Sequence, residues 1–337
     1  MPYKTILTTE RGLRHQRSVV AAAPRLLDVV VLRTSDRQAL RRHLADAVYW
    51  ISERVGTIDA DLVAAAPHLQ LIQRLGSLWY DIDLQAAQRA GVTVCYRPVP
   101  GAIRAAEHVV LQMLALDRKL GEAEAIAREA SLTWGESRRT DEDTFAYNWS
   151  GRRNIEGLWQ RTIGILGFGE VGAELSRRLQ GWDCQVRYNK RQRLPEQVER
   201  ALSIVYAEVD TLAGESDYLV NLSPYSSQTD GMLAAAFFRR MKAGAALVSC
   251  GSGSVIDEAA LAEAVHAGHL AGVALDTYEW EPIRPDNPLL PLARAGYSVL
   301  LTPHIAAGAP TRGQDRSDDY ADIVNHIQGR PLRYRLV

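Results

Sequence analysis

The run Gly167-Phe168-Gly169-Glu170-Val171-Gly172 holds the residues whose spacing most directly implies chemistry. In G-x-G-x-x-G the first glycine permits a tight turn, the second lets backbone approach a pyrophosphate, and the third lets a helix pack close on the preceding strand. The N–H groups that open such a helix are unpaired and point at phosphate. A dinucleotide is the ligand this pattern calls for. About 20 residues after the glycines, an NAD site usually presents an Asp or Glu to the ribose 2′-hydroxyl. Here Asn189 stands there, followed by Lys190 and Arg191, with Arg193 beyond. An acid would repel a 2′-phosphate, whereas a neutral amide with cationic neighbours hydrogen-bonds and charge-pairs with it. NADP(H) is therefore expected in preference to NAD(H), and a solvated basic loop on an NAD enzyme is the competing reading.

These residues need a strand, a turn, a helix and a second strand to position them. Ile163, Ile165 and Leu166 form a short apolar strand, Val171, Leu175 and Leu179 recur as one helix face, Gly181 ends that run, and residues 184–188 read as the next strand. Further apolar strands are expected at 217–222, 245–249, 273–275 and 299–302, with a helix from Asp257 to Ala267 that has Glu258 in its first turn and Gly268 after its last. Ahead of them, strands expected at 5–8, 29–32, 47–51, 69–74 and 92–95 alternate with helices, the pattern of an open parallel sheet. Pro98, Pro100 and Gly101 interrupt this lobe, and a long apolar helix begins near Ala102. Residues 118–157 are helical, then charged and irregular, and carry Trp134, Tyr147 and Trp149, which need something to pack against. Residues 314–328 return as a helix with apolar Tyr320, Ile323, Val324 and Ile327 that closes back on the first lobe. The expected architecture is α/β, with two Rossmann-like or flavodoxin-like doubly wound parallel-sheet domains and a cleft between them.

Composition narrows the partners. A chain of 337 residues is long enough for two cores, and a formal net charge of −1 offers no surface for nucleic acid or an anionic membrane. No apolar run approaches membrane-spanning length, and Met1-Pro2-Tyr3-Lys4 leads into a strand instead of an apolar leader. Cys95, Cys184 and Cys250 are too scattered for a disulfide framework or a metal site and fit a reducing cytoplasm. The excess of arginine over lysine, with abundant alanine, looks like a GC-rich bacterial genome.

The order of elements and several local sequences resemble the D-isomer-specific 2-hydroxyacid dehydrogenase family over nearly the whole chain. Besides the glycine turn, Ala106-Glu107-His108 is similar to the family's A-E-H, Ser216-Asp217 through Pro224 to S-D…P, and Val255 to Leu261 to V-D-E-x-A-L. Gly272 to Asp276 with Glu281-Pro282 resembles G-x-x-L-D-V-x-x-x-E-P, and Thr302-Pro303-His304-Ile305-Ala306 resembles T-P-H-I-A. The resemblance implies an enzyme in which backbone amides of a first-lobe loop and one Arg hold the carboxylate of a 2-keto acid, while a His protonates its carbonyl during hydride transfer. It makes His304 the proton donor and Glu281 its partner, places Pro224 and Asp276 among the cofactor-binding residues, and leaves Glu107 and His108 as hinge and packing residues. It assigns residues 1–101 with 306–337 to a substrate-binding domain and 102–305 to a dinucleotide-binding domain, and it implies a homodimer. The substrate loop becomes Gly76-Ser77-Leu78-Trp79-Tyr80, with Leu78 in place of a usual Gly and Tyr80 in place of a usual Asp. Trp79 and Tyr80 read either as core or as the lining of a more apolar pocket.

One departure stands out. Counting back from Asp257 puts Ser252 where the family has its substrate-binding Arg, and a hydroxyl lacks the bidentate, charge-assisted grip of a guanidinium. Arg104 and Arg153 are the nearest candidates to replace it, and Gly251-Ser252-Gly253-Ser254, all small, suggests a roomier pocket. Two functions remain open: an NADPH-dependent reductase of an atypical carbonyl substrate, or a cofactor-binding member with little catalysis that serves as a regulatory or structural partner.

Overall fold

A computed structural model describes residues 1–33, 36–308 and 316–337. The chain divides into two compact units, Met1–Ala102 with Ala309–Val337, and Ile103–Gly308.

The first unit runs β1 (Tyr3–Thr8), α1 (Leu13–Ala21), β2 (Leu27–Leu32), α2 (Arg37–Leu44), β3 (Tyr49–Ser52), α3 (Ala60–Ala64), β4 (Leu71–Leu75), α4 (Leu84–Arg89) and β5 (Thr93–Arg97). Aspartates start three of these helices: Asp36, Asp59 and Asp83 each accept from a backbone N–H of the first turn, satisfying donors that a helix start leaves unpaired. The strands pair in parallel in the order β2-β1-β3-β4-β5. Alternation divides the side chains between two covered faces. Ile6, Trp50, Ile72 and Val94 pack with Leu40, Leu44, Leu62 and Val63 on one face, whereas Leu7, Ile51, Leu71 and Cys95 pack with Val19, Tyr320 and Ile323 on the other. The chain's last residues extend the sheet at β5, where Tyr96 N–H donates to Tyr334 O and Leu336 N–H to Val94 O. The helix expected at 314–328 is a 3-10 turn, Arg316–Tyr320, followed by a short α-helix, Ala321–Ile327, and residues 314 and 315 lie outside the described ones.

A long helix, α5 (Pro100–Asp117), begins at a proline, whose missing N–H costs nothing at a helix start. The second unit continues with α6 (Leu120–Glu129), β6 (Thr162–Leu166), α7 (Glu170–Leu179), β7 (Gln185–Asn189), α8 (Glu196–Leu202), β8 (Ile204–Tyr206), α9 (Val209–Glu215) and β9 (Tyr218–Asn221). It ends with α10 (Ala235–Arg240), β10 (Ala246–Ser249), α11 (Glu258–His266), β11 (Gly272–Leu275), α12 (Leu289–Arg294) and β12 (Val299–Leu301). The parallel order is β12-β11-β10-β9-β6-β7-β8, so the direction of winding reverses between β6 and β9. Ligands of open α/β sheets bind beyond the carboxyl ends of the strands at such a reversal. Sequence periodicity missed β8 and α8, because a strand of three residues at the sheet's edge is too short to show alternation. Between α6 and β6, Leu132, Phe145, Tyr147 and Trp149 are exposed, and Trp134 meets Trp149 edge-on at 5.8 Å. Among the described residues, no helix is long and apolar enough to cross a membrane.

Candidate cofactor and catalytic site

The glycine turn lies at the carboxyl end of β6. Gly167 has φ +83°, and a Cβ there would lie 2.6 Å from the Ser223 backbone, so both conformation and crowding demand glycine. The N–H groups of Gly167 and Phe168 donate to Asn189 O, tying the turn to the end of β7. A Cβ at Gly169 would meet nothing within 4 Å, and α7 starts at Glu170 with no side-chain cap. Open space beside uncapped helix N–H groups suits a pyrophosphate. The atoms nearest a would-be Cβ at the third glycine, Gly172, belong to the Phe168 ring at 2.9 Å, so this glycine makes room for the residue that leaves β6. Phe168 is buried and packs on Tyr188 at 4.9 Å, so its side chain belongs to the core and not to a ligand surface. Val171 is half-buried in the first turn of α7.

At the end of β7, Asn189 donates from Nδ2 to Ala207 O at 2.8 Å. Lys190 is half-buried and Arg191 exposed. Arg193 turns away from ligand duty: it grips Glu199 through two bonds of 2.8 Å, and Tyr188 donates its hydroxyl to the same carboxylate at 2.7 Å. The guanidinium holds the Glu199 carboxyl below the usual carboxylate range.

His304 follows β12 in a left-handed conformation, φ +52°, which costs an ordinary residue roughly 1–2 kcal/mol. Its Nδ1 lies 2.7 Å from Glu281 Oε2, and Glu281 Oε1 accepts from Tyr278 N–H at 3.2 Å. With both carboxylate oxygens engaged and the ring 58% exposed, Nε2 is the atom left to exchange a proton with a ligand.

The turn is held from beneath. Asp276, expected at the cofactor, is fully buried. It accepts from Thr302 Oγ1 at 2.7 Å, Ile305 N–H at 2.9 Å and Ala306 N–H at 2.8 Å, so both oxygens are engaged by protein donors. His108, expected only as hinge and packing, reaches Thr302 Oγ1 with Nε2 at 3.1 Å from α5. Glu258, expected merely to favour its helix start, is buried, which pushes its carboxyl up. It accepts from Glu279 N–H and Asn287 Nδ2 on either side of Glu281. Thr302 stands inside the T-P-H-I-A match with no role expected of it, and nothing in the sequence singles out Gln112, whose Nε2 also donates to Thr302.

Ser252 is half-buried after β10 and donates its N–H to Ser223 O at 2.9 Å. The small residues around it do not signal a roomy pocket. A Cβ at Gly251 would lie 2.8 Å from Ser223 backbone atoms, and one at Gly253 would lie 2.0 Å from the Tyr278 carbonyl, so close backbone packing requires both glycines. Arg104 packs its Cδ against Gly308, and Arg153 is exposed in the irregular stretch. Pro224 is exposed after β9. In the first unit, Gly76 (φ +126°) already donates its N–H to Arg97 O at 2.7 Å. Ser77 and Leu78 are buried. Trp79 is half-buried, meets Tyr96 at 4.6 Å with its ring tilted and packs one side on the core, and Tyr80 is half-buried.

A sheet reversed beside an uncapped, glycine-led helix, with a histidine–carboxylate pair at the same carboxyl edge of its own unit, is the arrangement of a dinucleotide-binding domain that also carries an acid–base pair. Residues 110–306 match the family model described as D-isomer specific 2-hydroxyacid dehydrogenase, NAD binding domain. The chain belongs to the D-isomer-specific 2-hydroxyacid dehydrogenase family. It is 32% identical over 310 residues to a D-3-phosphoglycerate dehydrogenase of Archaeoglobus fulgidus, an alignment covering 91% of this chain and 54% of that protein. It is 30% identical to a glyoxylate reductase of Korarchaeum cryptofilum, covering 85% and 78%. A solved formate dehydrogenase from Granulicella superposes with a TM-score of 0.56 at 26% identity, covering 92% of this chain and 80% of that one. The chain thus spans about half the length of the phosphoglycerate dehydrogenases it matches.

The crowding at Tyr278 makes a sharp expectation. Gly253→Ala should lower stability by about 1–3 kcal/mol through overpacking, seen as a lower midpoint in urea denaturation, whereas Gly169→Ala, placed in open space, should leave that midpoint nearly unchanged. Equal midpoints for the two variants would contradict the packing described.

Proposed function

We propose that the protein is an NADPH-preferring reductase of a carbonyl compound, with His304 as the proton donor and Glu281 as its orienting partner. The observation that carries this reading is the 2.7 Å contact between His304 Nδ1 and Glu281, braced by Tyr278 N–H. Glu281 fixes the ring and stabilises the imidazolium, so Nε2 delivers a proton to a carbonyl oxygen and recovers it in the reverse direction. The nicotinamide, when bound, supplies the hydride. Gly167, Gly169 and the first turn of α7 cradle the pyrophosphate, and Glu170, Val171 and Pro224 border it. Asn189, Lys190 and Arg191 meet the 2′-phosphate, and Asp276 supports the catalytic turn from behind.

Ser252 favours a substrate less acidic than a simple 2-keto acid, because leaving a buried carboxylate without its charged partner costs about 3–5 kcal/mol. The same serine is the observation behind a second reading, a cofactor-binding protein with little catalysis. The exposed aromatics between α6 and β6 support a homodimer formed through that stretch. The scattered, unpaired cysteines support a cytoplasmic setting.

Three measurements check these points. Charge-assisted bonds worth about 1.5–3 kcal/mol each should make NADPH bind about tenfold or more tightly than NADH in a fluorescence titration; equal affinity, or tighter NADH, refutes the assignment. Steady-state assays with NADPH should show turnover of some ketone or aldehyde that His304→Asn reduces by about a hundredfold or more. In the same assays glyoxylate and pyruvate should fall well below about 10⁴ M⁻¹s⁻¹ and improve in Ser252→Arg. Ordinary keto-acid efficiency in the wild type overturns the role given to Ser252, and cofactor binding without any turnover supports the second reading. Light scattering should return twice the 37.3 kDa chain mass, and a monomer at micromolar concentration removes the dimer.

A further inference from the structure

The Thr302 hydroxyl has one proton to give and two lone pairs to fill, and the structure uses all three. It donates to Asp276 Oδ1 at 2.7 Å, a charge-assisted bond that takes the proton ahead of the 3.4 Å approach to Leu275 O. It accepts from His108 Nε2 at 3.1 Å and Gln112 Nε2 at 3.3 Å, both on α5. Since the hydroxyl proton belongs to the carboxylate, His108 must carry its own proton on Nε2. Asp276 then closes on Ile305 N–H and Ala306 N–H. His304 lies between Thr302 and Ile305, so a single buried carboxylate fixes the chain on both sides of it. The ring's left-handed backbone, φ +52°, is a conformation that its flanks impose and that the residue itself does not prefer. Asp276 and Gln112 are fully buried, which keeps both away from any reacting atom and leaves them a supporting part.

We propose that Thr302 is a positioning residue: with Asp276 and His108 it holds the 302–306 turn so that His304 Nδ1 stays on Glu281. The inference rests on reading His304 as the proton donor, but its geometric content is testable without turnover. Three variants separate hydroxyl from shape. Thr302→Val keeps the branched outline and removes the hydroxyl, Thr302→Ser keeps the hydroxyl, and His108→Phe keeps a ring and removes one donor.

The first readout is the long-range proton–nitrogen spectrum of histidine-labelled protein without substrate or cofactor, with His304 assigned from the signal missing in His304→Asn. The wild type and Thr302→Ser should show His304 in one tautomer, protonated at Nδ1, and Thr302→Val should show averaged tautomers. The second readout is kinetic. Thr302→Val should lose about tenfold or more in kcat, with a displaced pH midpoint and an NADPH Kd within about twofold of wild type, because misplacing a catalytic group acts on the chemical step. Thr302→Ser should recover to within about threefold in kcat. A fixed His304 tautomer in Thr302→Val overturns the proposal, as does a Thr302→Ser that behaves like Thr302→Val. If Thr302→Val does not fold, His108→Phe takes its place, where loss of the fixed tautomer supports the proposal and its persistence overturns it. A wild type that reduces no carbonyl compound, yet whose His304 tautomer depends on Thr302, defeats the functional reading and leaves the positioning role standing.

Discussion

Backbone pressed on backbone sets the carboxyl edge of the seven-stranded sheet. Gly167 abuts Ser223, Gly251 abuts Leu222 and Ser223, and Gly253 abuts Tyr278, each closer than a Cβ would allow. Ser252 N–H on Ser223 O and Thr277 Oγ1 on Gly251 O stitch the same segments together. The loops that follow β6, β9, β10 and β11 therefore share one set of coordinates. A clash between main chains has no rotamer to relieve it, so the phosphate turn, the Ser252 loop and the approach to Glu281 are fixed together or not at all.

Within that frame the polar groups support one another. A buried carboxylate such as Asp276 is tolerable only when its lone pairs are filled. The donors that fill them are the hydroxyl and amides of the turn carrying His304. Satisfying the charge and shaping the turn are the same act. Glu281 repeats the arrangement nearer the surface, with Tyr278 N–H on one oxygen and the imidazole on the other. Tyr278 also donates its hydroxyl to Thr302 O, which links the segment bearing the carboxylate to the segment bearing the histidine.

How much was legible follows from how far apart in sequence the interacting residues stand. The glycine turn, its helix and the alternation of apolar strands are local patterns, and they were readable as residues. His304 and Glu281 are separated by 23 positions, with no spacing rule to join them, and only the family resemblance paired them. Thr302 with His108 spans 194 positions, beyond any periodicity, and the resemblance, which made His108 a hinge and packing residue, did not join them either. Gly251 and Gly253 were misread in a different way. Small residues look like space in a sequence, and only the position of Tyr278 and Ser223 shows that the space is already taken. Arg193 was counted among the cations near Asn189 until Glu199, six residues on, accounted for its charge.

The first unit is discontinuous in the chain, and this has a temporal consequence. Tyr320 and Ile323 fill the core beneath β1, β3 and β4, and the Tyr334–Leu336 segment pairs with β5. A nascent chain emerging from the ribosome thus presents five strands, one face of which takes part of its cover from residues more than 200 positions downstream. The unit between them, contiguous from Ile103 to Gly308, has its whole core in hand first. Domains usually mature in the order of synthesis. Here the earlier segment must wait, with Leu7, Tyr49 and Leu71 lacking Tyr320 and Ile323 on one face, until residues 316–336 have been made. Through that interval the uncovered apolar face is open to chaperones and to self-association.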